Sequence, residues 1–434
     1  MSRHIKRIAQ RFLVRQLERK VDQLINQHDL TVITVTGTVG KTGSKVAIGQ
    51  VLEAAGRKVC YSEDSYNTEI GMPLALYGLK TPSRLTDPLA WRRIIQRITE
   101  MNRVYPYDTV IVEVAEDERA MMTPWLARLK PQISIFTGAS AAHMERFDSI
   151  EHLRDDAAWL ASRAERCYYN ADIELVREVM ERKKGAVGYG VDHGTIRLHD
   201  VKRGRTGLLQ AELRIGKDRQ VIKTQFVARH SLSYILAAAA VAHELGVAFD
   251  QICKGLTKVQ PVVGRMRLLA GVNDSRVLDD SYNSSPVAVK AALDTLIELT
   301  TPRDGRRIAV LGSMNELGEF ASELHREVGV YAAEKRVDML ITVGKDAMNL
   351  LAPAAIEAGL AKTQVKQFRT PYEAGHYLKN HVKAGDIVLV KGSQNGVFTE
   401  ETSRILLSPE LHPAKELVRQ GKSWKVRKKK SFGI

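Results

Sequence analysis

"TVITVTGTVGKTGSK", residues 31–45, has the pattern of a buried strand, a glycine turn and the start of a helix. The turn ends in Gly40, Lys41 and Thr42, as phosphate-binding loops do, but only two residues separate Gly37 from Gly40, where the usual loop has four. Such a turn directs backbone N–H groups and a helix N-terminus at phosphate. We expect Lys41 to reach the outer phosphates of a nucleotide and the Thr42 hydroxyl to bind Mg²⁺. The alternative is a tight βα turn with a surface lysine.

The composition limits the class of protein. The chain has 434 residues, 44% of them hydrophobic, which is enough for two or three domains with full cores. Its three cysteines are far apart, so they argue against a disulfide framework and favour a reducing cytoplasm. No apolar run approaches the ~20 residues that a membrane span needs, and the N-terminal residues lack the apolar stretch of a secretory signal. The net charge of +15 predicts anionic partners.

Much of the positive charge is at the two ends of the chain. Residues 1–29 have apolar side chains at helical spacing with Arg and Lys between them, which predicts a basic amphipathic helix. Residues 1–28 of this helix either pack on their own domain or make peripheral contact with the inner membrane surface. The basic tail, residues 409–434, is expected to be a solvated end. We expect no nucleic acid partner, because no aromatic-rich platform accompanies the basic residues.

Apolar, β-branched runs alternate with helical patterns along most of the chain. This alternation predicts an α/β fold in which helices cover parallel sheets. Residues 30–260 form the first predicted domain, with a small antiparallel patch in 186–228, and residues 261–408 form the second. The predicted helices include 41–55, 149–165, 231–246, 286–300 and 371–383, and the predicted strands include 107–115, 131–138, 275–280, 307–312 and 386–391.

An acidic and an imidazole side chain follow two of the predicted strands. Glu113 ends the run "TVIVE", and His143 follows "ISIFTGASAA". Residues just past the carboxyl ends of parallel strands line the ligand crevice, so both are expected on the same sheet edge as the glycine loop. Both are candidate Mg²⁺ ligands, although histidine is less usual for so hard a cation. The alternative for each is a structural role.

Longer motifs, in order and spacing, resemble the Mur ligase family. The loop, "SYNTEIGMPLAL" (65–76), Glu113 and "AAHMERFDS" (141–149) are similar to its central domain. The later motifs look like the type that adds D-alanyl-D-alanine to a UDP-muramoyl tripeptide: "GRM" (264–266), "LDDSYNSSPVAVKAALDTL" (278–296), "IAVLGSMNELGEFASELHREVG" (308–329) and "GDIVLVKGSQ" (385–394). The resemblance covers roughly residues 30–405. It implies a P-loop central domain followed by a Rossmann-like C-terminal α/β domain.

The resemblance also implies a reaction and a site. The chain would be an ATP-dependent carboxylate–amine ligase acting through an acyl phosphate, with D-alanyl-D-alanine or a similar amine as co-substrate. The implied catalytic residues are Lys41, Glu113 and His143. The implied ATP contacts are Gly37, Thr38, Gly40, Lys41, Thr42, Arg265, Asp280, Tyr282 and Asn283. The implied Mg²⁺ ligands are Thr42, Glu113 and His143, and the implied substrate contacts are Asn67, Glu69 and Lys391.

The sequence departs from the family pattern at several positions. Ala157 stands where these ligases commonly carry a carbamylated lysine that helps to hold a second magnesium ion. Asp155 or Asp156, within one helical turn, offers a carboxylate in its place; the alternative is an acidic helix start favoured by the helix dipole. Ser231 and Tyr234 replace two asparagines of the family, so we expect different adenine contacts.

Two further departures concern substrate binding. Ser285 replaces an asparagine and Gln394 an arginine, and glutamine cannot supply the bidentate clamp of a guanidinium. We also expect the family's amino-terminal UDP-binding domain to be lacking, since a basic helix alone is predicted before the loop strand. Two other functions therefore stay open. One is the same chemistry on a folate-like or polyglutamate-like acid, and the other is a non-catalytic nucleotide-binding partner subunit.

Overall fold

The computed structural model divides into two compact units. The first comprises residues 1–202, 210–225 and 231–260, and the second comprises 203–209, 226–230 and 261–434. The described residues are 3–62, 66, 68–82, 84–115, 119–139, 149–302 and 304–433, with side chains from residue 10 onward.

A nine-stranded sheet is the frame of the first unit within the described residues. Its strands are β1 Thr31–Thr36, β2 Val59–Cys60, β3 Thr109–Glu113, β4 Ile133–Phe136, β5 Arg166–Asn170, β6 Ala186–Gly190, β7 Ile196–Arg203, β8 Leu209–Ile215 and β9 Asp218–Lys223. They are ordered β2-β3-β1-β4-β5-β6-β7-β8-β9. The six strands β1 to β6 pair in parallel, as the alternating pattern predicts. In the predicted antiparallel patch, β8 and β9 are antiparallel, whereas β6 pairs in parallel with both β5 and β7.

Helices pack against this sheet and against one another. They are α1 Arg3–Gln27, α2 Lys41–Ala54, α3 Gly71–Leu76, α4 Pro88–Arg103, α5 Arg119–Leu129, α6 Ile150–Ala161, α7 Glu174–Met180, α8 Leu232–Glu244 and α9 Phe249–Leu256. Helix α8 carries four consecutive alanines, all fully buried, and packs against α2. Small side chains at this contact let the two helix backbones approach closely.

Helix α1 packs on the first unit through its C-terminal half. Leu17, Val21 and Leu24 are fully buried, and the spacing of three and four residues places them on one helix face. Arg128 of α5 binds this half through Asp22, at 2.6 Å. The structure therefore shows the own-domain packing that was one of the two alternatives for this helix. None of the described helices is long and apolar enough to cross a membrane.

The second unit is built on a six-stranded sheet. Its strands are β10 Arg267–Ala270, β11 Arg276–Asp280, β12 Arg307–Gly312, β13 Met339–Val343, β14 Val365–Phe368 and β15 Ile387–Lys391. They are ordered β10-β11-β15-β12-β13-β14, and all pair in parallel except the edge strand β10, which is antiparallel to β11. Its helices are α10 Pro286–Glu298, α11 Ala321–Glu334, α12 Ala352–Glu357, α13 Pro371–Lys379, α14 Glu400–Leu406, α15 Pro413–Glu416 and α16 Lys422–Phe432. Two separate apolar clusters contain the buried side chains of this sheet, as expected of a Rossmann-like layer structure.

The tail is not the solvated end that its charge suggests. Leu417 is buried in the core of the second unit, and the side chain of Lys428 on α16 is 1% exposed. Lys428 can be buried because its ammonium lies 2.8 Å from a carboxylate oxygen of Glu400 and 2.6 Å from one of Glu401. A buried cation of this kind requires such partners.

Candidate functional site

The glycine loop is fixed by its two glycines and by the end of β4. Gly40 has a φ of 83° and turns the chain from β1 into α2. Gly37 has a φ of 122°, and a Cβ there would lie 2.6 Å from the carbonyl oxygen of Gly138. The Thr38 N–H donates to that same oxygen at 2.9 Å. A side chain at either glycine is therefore excluded, by backbone conformation at both and by contact at Gly37.

Lys41 and Thr42 open α2 directly after this turn. The Lys41 ammonium donates to the carbonyl of Gly37, so its side chain folds back over the loop. The Thr42 side chain is buried and hydrogen-bonds to Glu113. The arrangement presents a cation, a hydroxyl and a helix N-terminus on one side of the turn, which suits the outer phosphates of a nucleotide.

Glu113 reaches the loop because of the strand register. In the β1–β3 pair, Glu113 lies opposite Val35, two residues before Gly37. Its carboxylate is 2.8 Å from the ammonium of Lys45, and both side chains are almost completely buried. Burial by itself raises the pKa of Glu113, but Lys45, Lys41 and the Thr42 hydroxyl together bring it below its usual value. Glu113 is therefore a buried carboxylate that stays anionic.

Lys45 is a site residue that the sequence reasoning did not identify. It lies four residues after Lys41, so both side chains leave α2 on the same face, and this spacing was a signal that could have been used. Its burial was not visible from sequence, because a lysine on a helix is usually solvated.

Thr42 and Glu113 fit the donor set of a magnesium ion. Both offer oxygen atoms, which Mg²⁺ prefers, and Glu113 supplies a full negative charge. His143 and Asn67 lie outside the described residues. Within the described residues, no group of three or more His, Cys, Asp or Glu side chains is arranged to hold a metal ion. Glu69 lies in a turn just before α3 and is partly buried.

Helix α6 places Asp155 and Asp156 away from the face that Ala157 occupies. Ala157 is fully buried in an apolar cluster that includes Phe136 at the end of β4. Consecutive residues on a helix are rotated by roughly 100°, so neither aspartate shares this face. Asp156 pairs with Arg119, and Asp155 pairs with Arg154 at 2.9 Å. Both carboxylates are thus neutralised by arginines, and the structure does not bring them together with Glu113 as a metal cluster.

The second unit has its own cluster at the carboxyl ends of β11 and β15. Asp280 and Lys391 lie opposite each other in the strand register, and their side chains form an ion pair of 2.6 Å. The Lys391 ammonium also donates to the carbonyl of Asn283, at 2.9 Å. The other carboxylate oxygen of Asp280 accepts from the N–H of Met266, at 3.2 Å. Lys391, predicted as a substrate contact, therefore supports the loop that carries Asp280, Tyr282 and Asn283.

Tyr282 is held between charged groups. The Arg265 guanidinium lies over its ring, 4.3 Å from the ring centre. This position is favourable for a cation–π contact. Arg419, which sequence reasoning did not single out, donates to the carbonyl of Tyr282 at 2.9 Å and to that of Ser281 at 2.6 Å.

Tyr234, which replaces a family asparagine, packs directly on the loop helix. Its ring lies 3.3 Å from the position that a Cβ of Gly40 would occupy and 2.6 Å from that of Gly43. Gly43 and Tyr234 are therefore sterically complementary, since a larger residue at either position would need a smaller one at the other.

Comparisons with known proteins agree with this architecture. The family model described as "Mur ligase middle domain" matches residues 35–242, and the one described as "Mur ligase, glutamate ligase domain" matches residues 264–394. The UDP-N-acetylmuramoyl-tripeptide–D-alanyl-D-alanine ligase of Synechocystis is 28% identical over 382 residues, covering 87% of this chain and 75% of that protein. The enzyme of the same name from Bacillus subtilis is 23% identical, covering 87% of this chain and 76% of that protein.

A solved structure has the same fold. The MurF ligase of Thermotoga maritima, crystallised in complex with ADP, superposes with a TM-score of 0.73 at 22% identity, covering 90% of this chain and 83% of that one. The middle-domain model matches the earlier part of the sequence, and the glutamate ligase domain model matches the later part. The chain therefore belongs to the Mur ligase family of ATP-dependent ligases, and within it the similarity is to the D-alanyl-D-alanine-adding type.

Proposed function

We propose that this protein joins D-alanyl-D-alanine to a UDP-muramoyl tripeptide in an ATP-dependent reaction of peptidoglycan synthesis. The observation that carries the proposal is the buried, anionic Glu113 beside the short glycine loop, with the Lys41 ammonium and the Thr42 hydroxyl around it. The names of the curated relatives supply the two substrates. The Thermotoga maritima structure is a complex with ADP, which supports nucleotide binding by this chain.

The loop suits the first chemical step. A substrate carboxylate attacks the γ-phosphoryl group of ATP, which gives an acyl phosphate and ADP. This attack brings two anions together, so its rate depends on charge neutralisation and positioning. Backbone N–H groups of the loop and Lys41 neutralise and orient the phosphates. Amine attack on the acyl carbon then forms the amide and expels inorganic phosphate.

Magnesium is part of this proposal. Thr42 and Glu113 would hold the ion, with His143 as a further ligand taken from the family resemblance. When bound, Mg²⁺ withdraws charge from the phosphate oxygens. Lys45 keeps Glu113 ionised and fixed in position, so that the carboxylate is available to a cation at neutral pH.

The family resemblance also assigns nucleotide contacts to the second unit, and we propose them for its own cluster. Asp280 would bind the ribose, and Arg265, Tyr282 and Asn283 would lie along the nucleotide. Lys391 binds Asp280 and the Asn283 carbonyl, so it supports this loop. Its proposed contact with the substrate would be a second role. Asn67 and Glu69 remain the proposed contacts to the acyl substrate.

An ADP-release assay tests the proposed function. With UDP-muramoyl tripeptide, D-alanyl-D-alanine and Mg²⁺, the wild type should release ADP, and omission of either substrate should stop it. Lys41→Ala should lower the rate at least ~100-fold, since a charge-stabilising donor is lost. Lys58→Ala is the matched control, because Lys58 is exposed and lies beyond the end of α2. Release with a folate-like or glutamate-chain acid, and none with the tripeptide, would contradict the substrate assignment; equal rates for Lys41→Ala and the control would contradict the site.

We also propose that the exposed face of α1, which carries Phe12 and three arginines, contacts an anionic membrane surface. Phe12 is 64% exposed, and Arg11, Arg15 and Arg19 are exposed at intervals of four residues along the same helix. An exposed aromatic ring beside a basic stripe favours binding to acidic lipid headgroups. Co-sedimentation with vesicles of anionic lipid should be reduced by Phe12→Glu, and neutral vesicles should not bind. Equal binding of the variant and the wild type would overturn this assignment.

A further inference from the structure

The C-terminal segment, Leu417–Phe432, contacts the proposed nucleotide loop of the second unit. Arg419 is the centre of this contact, with a side chain only 7% exposed. Its guanidinium donates to the carbonyls of Ser281 and Tyr282, at 2.6 and 2.9 Å. The next carbonyl, that of Asn283, receives the Lys391 ammonium. Three consecutive carbonyls of the loop Ser281–Asn283 are thus held by two cations.

Arg419 is itself held by a completely buried carboxylate. Its Nε and Nη2 lie 2.9 and 2.8 Å from the two oxygens of Glu400, a bidentate pair. Bidentate arginine–carboxylate contacts fix the plane of the guanidinium, so its remaining N–H bonds have defined directions. The donors that reach Ser281 and Tyr282 are therefore oriented by Glu400.

Helix α16 closes this arrangement from the other side. Lys428 binds Glu400 at 2.8 Å and Glu401 at 2.6 Å, and it donates to the carbonyl of Arg419 at 2.9 Å. Trp424 and Phe432, four residues on either side of Lys428, pack edge-on against the buried ring of Phe398. The helix therefore excludes water from the ion network. Charges interact more strongly in such a buried environment than in water.

We propose that Leu417–Phe432 is a clasp that sets the position of the loop Ser281–Asn283, with Arg419 as the positioning residue. The inference rests on the proposed function in one respect, namely that this loop contacts the nucleotide. Arg419 acts through the backbone of the loop, which carries Tyr282 and follows Asp280. The clasp orders the loop before nucleotide binds, so less ordering is required at the moment of binding.

The chain offers a matched control for the test. Arg306 also makes a two-point contact with a fully buried carboxylate, that of Asp386, through Nε at 3.3 Å and Nη2 at 2.6 Å. It also donates to a backbone carbonyl, that of His381, at 2.6 Å. Arg306 and Asp386 directly precede β12 and β15, so they lie at the opposite sheet edge from Asp280. Arg306→Met thus repeats the loss of an arginine from a fully buried carboxylate without touching the loop.

The experiment compares ATP kinetics and amide hydrogen exchange in the two variants. Arg419→Met should raise the KM for ATP about tenfold and leave kcat nearly unchanged, because ordering of the binding loop is lost. Exchange of the 281–284 amides should accelerate in the nucleotide-free variant. Arg306→Met should lower the unfolding midpoint but change neither quantity. Arg419→Lys should recover part of the KM effect, since lysine retains the charge but not the bidentate geometry.

A second variant covers the case in which Arg419→Met folds poorly. Arg419→Met with Glu400→Gln removes both partners, so no carboxylate of that pair is left buried without compensation. Lys428 keeps Glu401 as its partner in this variant, which should therefore fold, and it should still show the raised KM and the faster exchange. Unchanged exchange and unchanged KM in this double variant would overturn the clasp. Faster exchange in a protein whose wild type binds no ADP would support the clasp and overturn the proposed function.

Discussion

The Lys45–Glu113 pair gives the most demanding prediction, because its two charges are buried together beside the glycine loop. The ammonium and the carboxylate are 2.8 Å apart, and the side chains are 2% and 1% exposed. Replacing Lys45 by Met leaves a carboxylate in a site from which water is excluded. Removal of one partner of a buried pair costs about 3–5 kcal/mol. For a unit of this size, that corresponds to a fall of roughly 6–20 °C in unfolding midpoint.

The pH dependence of this loss has a definite sign. In the wild type, burial raises the pKa of Glu113, but Lys45, Lys41 and the Thr42 hydroxyl together bring it below its usual value. The ionised carboxylate therefore contributes its full stability above the unfolded pKa, and this contribution is lost as pH falls through the folded pKa. In Lys45→Met, burial raises the pKa of Glu113 without that compensation. Stability of the variant should then fall as pH rises from the unfolded pKa to the raised folded pKa. The gap between variant and wild type should therefore be larger at pH 8 than at pH 5.

Thermal unfolding at these two pH values is the assay, and Lys45→Met with Glu113→Gln is the matched control. The double variant has no charge left in this pair and should regain most of the lost stability at pH 8. It should not regain ADP release, because the anionic oxygen proposed for Mg²⁺ is gone. A single variant that unfolds with the wild type, or a double variant no more stable than the single at pH 8, would refute the reasoning.

Two further predictions concern local packing and a second buried carboxylate. Gly43→Ala should lower the unfolding midpoint, with a cost of about 1–3 kcal/mol, because the new Cβ would lie 2.6 Å from the Tyr234 ring; Tyr234→Ala in the same chain should relieve it. Burial raises the pKa of Asp279 to about 7, with Asp280 and Glu400 adding to the effect, so wild-type stability is lost as pH rises from 3.8 towards 7. Asp279→Asn keeps an acceptor for the Ser403 hydroxyl. The free energy of unfolding of this variant, relative to that of the wild type, should rise between pH 5 and 8 by at most roughly 4 kcal/mol. A constant difference across that range would contradict this.

Regular periodicity explains why much of the fold could be predicted from the sequence. The run 307–312 was predicted as a strand and is β12 with the same bounds. The helix predicted at 286–300 is α10, which begins at Pro286 because a proline at the first helical position forfeits no hydrogen bond. Ser285 occupies the N-cap position, although in the described part of the chain its side chain makes no capping hydrogen bond.

The strands that were missed or misassigned depend on pairing between distant segments. Strand β2 has two residues, Val59 and Cys60, which is too short for any alternating pattern. The direction of β6 could not be read from its own residues, because parallel and antiparallel pairing use the same alternation. Strand direction is set instead by how the chain returns to the sheet.

At the site, the sequence predicted which sheet edge carries Glu113, but it did not predict which side chains form ion pairs there. Glu113 was expected at the sheet edge that carries the loop, and the β1–β3 register places it there. The pairing of Glu113 with Lys45 depends on the burial of both side chains at that edge, and burial could not be predicted from a single sequence. The same limit applies to Asp156: its closeness to Ala157 in sequence suggested a replacement ligand, whereas its rotation on α6 and its pairing with Arg119 depend on the neighbouring helix.

The basic tail shows how a charge run can conceal a buried face. Eight of the eleven residues of α16 are lysine, arginine or serine, which suggests a solvated end, yet Trp424, Lys428 and Phe432 recur at intervals of four. This spacing places two aromatic rings and one cation on a single helix face. A lysine between aromatics on such a face predicts a buried carboxylate opposite it, and two successive glutamates, Glu400 and Glu401, open α14. The spacing of the buried face was therefore present in the sequence. The carboxylates that allow Lys428 to be buried lie more than twenty residues away in the chain.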